Sequence, residues 1–189
     1  GGLLSLAALA LYGRDMLYLY RARKRRTIEL NSRIAAVALA NLAATVLLAV
    51  VLLASGTFER DIAAPIFLFT FGWLSGLGLA KLYKIVAFLT WLECYGPVLG
   101  KATTPRVQDL VVESRAMKWF VLYFLAVWSA TAILLLGWPQ AFRAASVIMV
   151  IATSGIVVQL VRIRTLTDVQ ARLRWPAGVR QPRLLHSRI

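Results

Sequence analysis

Few side chains in this 189-residue chain could do covalent or metal chemistry, and their spacing gives them little to work with. The single histidine, His186, stands three residues from the end. The single cysteine, Cys94, excludes an intrachain disulfide, a thiolate metal cluster and a CxxCH haem attachment. A Ser–His–Asp triad would have to recruit its base from that terminal tail. Walker glycine loop, HExxH and GxSxG motifs are all missing. Glu93 beside Cys94 pairs a carboxylate with a thiol, as metal or redox sites do. Without a histidine cluster the plainer reading is a solvated loop edge. The sequence therefore predicts no enzyme activity, no metal and no cofactor of the chain's own.

The remaining chemistry is charge and close packing inside greasy sequence. Lys81 and Lys84 share a helix side at the end of an apolar run. Ionisable groups within a membrane often line a proton or anion path, but a position at the boundary lets lysines reach the headgroups instead. Arg14 and Asp15 interrupt the first apolar run. Neighbours in a helix do not face each other, so the pair is either buried against other helices or marks a helix end near the membrane surface. Asn41, alone in a smooth apolar segment, should seek a partner helix. Gly72 and Gly76 form a GxxxG, with Ser75 and Gly78 beside them. Such a face suits either a neighbouring subunit or packing within the chain.

The elements that carry these residues are membrane spans. Hydrophobic residues make up 60% of the chain, and the mean hydropathy is +0.72. The fold expected is an all-α polytopic transmembrane bundle. About five spans fall near 1–20, 34–54, 62–84, 118–137 and 143–162. Residues 85–92 form a segment at the membrane interface, and residues 166–189 a basic cytoplasmic tail. The first run is short before Arg14, which suggests that the chain begins inside a longer helix. Asp109, Glu113 and Arg115 look like surface helix residues.

The formal net charge of +14 is sorted by loop. Arg21, Arg23, Lys24, Arg25, Arg26 and Arg33 follow the first span; Arg60 alone represents the second loop. Lys101, Arg106, Arg115 and Lys118 fill the third; Arg143 is alone in the fourth, and arginines crowd the tail. Alternating rich and poor loops predict an N-out, C-in protein of the bacterial inner membrane. The cations then address anionic lipid headgroups rather than nucleic acid. Arg14, Lys81, Lys84, Arg21, Arg23 and Lys24 are the candidate headgroup or ion-path residues.

Phe71-Gly72-Trp73, Gly78, Lys81 to Trp91, Tyr95-Gly96-Pro97 and Pro105 to Leu110 together resemble a segment of poorly characterised bacterial inner-membrane proteins. Those proteins are distantly similar to subunit I of haem–copper oxidases. The resemblance covers about forty residues and implies a cofactor-free C-terminal half. Ala87 stands where the pattern has proline, and Glu93-Cys94 where some relatives carry histidine, so no ligand carries over.

Taken together, these features predict a non-catalytic subunit of a larger membrane complex, respiratory or electron-transferring, that packs helices and lipids against other membrane subunits. A small transporter or channel using Lys81, Lys84, Arg14 and Asn41 is the main alternative. An insertion or maturation factor for a membrane metalloenzyme is another.

Overall fold

Long runs of Ala, Leu and Val leave the backbone one way to satisfy its own N–H and C=O groups in lipid, the helix. The computed structural model describes residues 2–22, 29–175 and 179, and its elements are helical. Helix α1 is Gly2–Arg21 and α2 is Leu30–Ala54. Helix α3 runs through Phe58–Val98, with a one-residue turn at Ile62, a π-helical stretch at Leu68–Ser75 and a closing 3₁₀ turn at Gly96–Val98. Helices α4 (Glu113–Leu136) and α5 (Pro139–Arg164) form a hairpin. A single turn, α6, follows at Ala171–Arg174.

Helices α2 to α5 are each long and apolar enough to cross a membrane, so the protein is an all-α, multi-pass bundle. The first expected span is present as α1, but Arg14 and Asp15 divide it, and it is not among those four. Their side chains lie 3.6 Å apart while both remain largely exposed. The expectation that neighbours cannot meet is corrected here: the long arginine folds back on its neighbour, in a solvent-screened pair worth little.

Helix α3 has 41 residues and is about 60 Å long, twice a hydrocarbon core of ~30 Å. Ile85 to Leu92, expected as an interfacial segment, is the continuation of this same helix past Lys84. The chain after it turns back to cover it. Trp91 Nε1 donates to Pro105 O at 2.7 Å, and Leu110 and Val98 are buried. Residues after α5 cover another side. Leu166 and Val169 are buried, and the Tyr95 hydroxyl donates to Arg174 O at 3.2 Å. The chain from 166 to 174 is therefore part of the bundle rather than the start of a free tail. Residues 180–189, with His186, lie outside the described residues.

Gly137 ends α4 at φ 68°, a left-handed conformation that glycine adopts without a Cβ clash. Its N–H bonds Leu134 O and that of Trp138 bonds Ile133 O. Pro139 then opens α5 where its missing N–H costs nothing. The two helices of this hairpin pack closely along their length. Ala126, Val127 and Ala130 of α4 and Ala145, Ala152 and Ile156 of α5 are buried there. Its tightest point is Gly155, where an added Cβ would fall 2.1 Å from the Trp119 ring.

A methyl group at 155 must displace that indole. Gly155→Ala should therefore cost roughly 1–3 kcal/mol and lower the melting temperature in detergent. Gly78→Ala, where a Cβ meets open space, should leave it unchanged. Equal melting of the two variants would contradict this packing.

Candidate functional site

Polar side chains in the apolar part of the bundle converge on the π-helical stretch of α3. A widened turn tilts its carbonyls away from the ordinary ladder, and side chains meet three of them. Asn41 Nδ2 of α2 donates to Gly72 O at 3.1 Å. The Tyr123 hydroxyl of α4 donates to Phe71 O at 2.9 Å. Ser75 Oγ donates to Thr70 O at 2.9 Å. Asn41 Oδ1 in turn accepts from Trp128 Nε1 at 3.1 Å. Thus α2 and α4 are both tied to the middle of α3, and Asn41, 2% exposed, has the partner helices the sequence predicted.

Glycines make these approaches possible. A Cβ at Gly72 would sit 3.2 Å from Asn41 Cβ, and one at Gly76 would sit 2.9 Å from the Phe124 ring. Gly72 and Gly76 therefore pack within this chain against α2 and α4. They are covered, so the alternative of a face for a neighbouring subunit is corrected at these two positions. Ser75 is half-buried and holds its own helix; Gly78 is exposed.

Charged groups gather at one end of the bundle. Asp168 receives Arg162 Nη2 at 2.6 Å and Arg115 Nη1 at 3.0 Å. Burial pushes against its charge, but the hydrogen bond from Arg162 outweighs that, and Arg115 adds to it, so the carboxyl lies below its ordinary value. Glu93 pairs with Arg164, which also donates to Thr90 Oγ1 at 3.3 Å. Cys94 beside it is fully buried. The expected solvated edge at Glu93-Cys94 is therefore corrected: residues from α5 and from the turn after it cover that site. Lys84 Nζ meets Glu29 Oε2 at 2.7 Å, and Glu113 Oε1 accepts the Leu30 N–H at 3.2 Å. Asp109 accepts the Arg106 N–H at 2.8 Å. Asp109, Glu113 and Arg115 thus serve three separate contacts, not one surface face. At the opposite end Arg60 pairs with Asp61 at 2.8 Å.

An open groove of about 990 Å³ lies at this ionic end, between the start of α2, α3 beyond Lys84, and the 106–111 turn. Ile85, Phe88 and Leu89 form its apolar wall; Lys84, Arg106, Glu29 and Glu113 stand among its polar residues.

The structure does not gather the candidate ion-path residues. Lys81 and Lys84 are on the outer surface, Arg14 is on α1, and Asn41 is inside the bundle. Arg21 is exposed at the end of α1; Arg23 and Lys24 lie outside the described residues. Among the described residues no three His, Cys, Asp or Glu side chains stand where they could hold a metal ion. Sequence reasoning missed Asp168, Tyr123 and Trp128. Asp168 alone gave a signal, as the only carboxylate after Glu113 in an arginine-rich stretch.

No family model, no curated protein and no solved structure matches this chain. The resemblance of about forty residues to bacterial inner-membrane proteins is an expectation of the sequence on which these comparisons do not bear.

The Asp168 contacts give a pH signature. A depressed carboxyl stabilises the fold above its unfolded value of about 3.9, and that contribution is lost as pH falls through the folded value. Asp168→Asn should cost roughly 1–2 kcal/mol at pH 7, allowing for half-exposed arginines. Melting curves of variant and wild type should converge in acid. A gap that stays constant down to pH 2–3 would contradict the assignment.

Proposed function

We propose that this chain is a non-catalytic integral subunit of a larger bacterial inner-membrane complex, of respiratory or electron-transfer type, that packs helices and anionic lipid. The ionic end would lie in the cytoplasm, as the positive-inside rule requires. One observation carries this reading. Four polar side chains within the spans, Asn41, Tyr123, Trp128 and Ser75, bond to one another and to the chain's own backbone. Their hydrogen-bonding capacity goes into fixing the bundle. Lys81 and Lys84 stand on the outside, as lysines that reach a headgroup layer do. The outward faces of α3 and α5, with Leu74, Leu82, Val147, Ile151 and Val158 exposed, suit lipid or neighbouring helices.

The expected partner surface is an outer helix face, because Gly72 and Gly76 are already covered. Release of the full chain from its native membrane in polymer nanodiscs, followed by native mass spectrometry, tests the reading. The expected result is a particle holding this chain and other membrane subunits in fixed ratio. A lone chain that drives solute or ion flux in vesicles, abolished by Lys84→Gln with folding intact, would overturn it in favour of a transporter.

A further inference from the structure

The groove at the ionic end has an apolar wall where a membrane-spanning helix leaves the hydrocarbon layer. Ile85, Phe88 and Leu89 are each about half exposed and continue the outward face of α3 from Leu74, Gly78 and Leu82. Leu89 lies about 8 Å beyond Lys84 along the helix, within the depth of the headgroup region. Lipid packed against the lower part of that face therefore meets the groove without a break.

The polar residues of the groove select the headgroup. Both carboxylates already have partners, Glu29 on Lys84 and Glu113 on the Leu30 N–H. Lys84 is an ammonium with three donors and gives one to Glu29. Arg106 is exposed at the groove, and its guanidinium fork matches phosphate oxygens. The chain as a whole carries +14, which favours an anionic over a zwitterionic lipid.

We propose that this groove is a binding site for one anionic glycerophospholipid, its phosphodiester held by Arg106 and Lys84 and its acyl chains lying along Ile85, Phe88 and Leu89. The site deepens the proposed lipid-packing role and shares with it the placement of the ionic end at a membrane surface. It does not depend on whether other subunits exist.

The test uses the purified full chain, reconstituted in phosphatidylcholine bilayers doped with phosphatidylglycerol and released into native mass spectrometry. One phosphatidylglycerol should stay bound in preference to phosphatidylcholine. Arg106→Gln, at an exposed position, should weaken retention about fivefold, and adding Lys84→Gln should weaken it about as much again. Lys118→Gln should leave it unchanged. Phe88→Asp should abolish retention with the melting temperature preserved. Four results would overturn the proposal. They are equal retention of both lipids, retention indifferent to Arg106 and Lys84, and glycerol phosphate raising the melting temperature as much as the lipid does. The fourth is a ready disulfide between Arg26→Cys and Phe88→Cys in a Cys94→Ser background, which would place the chain's own preceding segment in the groove. Because retention is read on the isolated chain, its loss would refute the groove and leave the complex untouched. Finding the chain alone in its native membrane would refute the complex and leave the groove untouched.

Discussion

A carbonyl oxygen in the middle of a bilayer has no water to turn to, so a helix that leaves its regular ladder there must find donors inside the protein. Helix α3 does this over Leu68–Ser75. The donors come from two other helices and from the stretch itself: Asn41 of α2, Tyr123 of α4 and Ser75. Trp128 then fixes the amide of Asn41 by bonding its oxygen. This constraint sets the order of the bundle. It requires small residues at 72 and 76, so that α2 and the Phe124 ring can come close. It also leaves α3 central, with α5 attached mainly through α4.

The second organising feature is the excess length of α3. A helix twice as long as the hydrocarbon layer carries apolar residues into the headgroup region and beyond. The chain answers by folding other segments over it. The 96–112 loop covers one side through Trp91, Val98 and Leu110. The end of α5 and the turn after it cover another through the Glu93–Arg164 pair, Leu166 and Val169. Asp168, gripped by Arg115 and Arg162, fastens that turn to both helices of the hairpin. The described residues leave one side of α3 uncovered, and there the groove opens.

Periodicity and charge made the helices and their alternation legible, because both are properties of contiguous sequence. Asn41 was legible for the same reason: one amide in an apolar helix has few alternatives to a helix partner. The π-helical stretch was not, since its composition matches that of an ordinary span and it is stabilised by residues 31 and 52 positions away. Spacing marked Gly72 and Gly76 as a packing face but not which helix would use it. It missed Gly155, the tightest site, whose importance comes entirely from Trp119 on another helix. Glu93 and Cys94 read as a loop edge because the segments that bury them follow later in the chain. The groove was illegible as well: a turn near residue 106 forms one wall only after the chain has reversed.

The support of the π-helical carbonyls is most directly measured by amide hydrogen exchange across α3 in bilayers, comparing the wild type with Asn41→Leu. Loss of the two Asn41 side-chain bonds should cost about 1–2 kcal/mol, as interhelical bonds in membranes do. Exchange over Leu68–Ser75 should then quicken roughly five- to thirtyfold, while Ile85–Tyr95 keeps its protection. Unchanged exchange across Leu68–Ser75 in a folded Asn41→Leu protein would contradict the account.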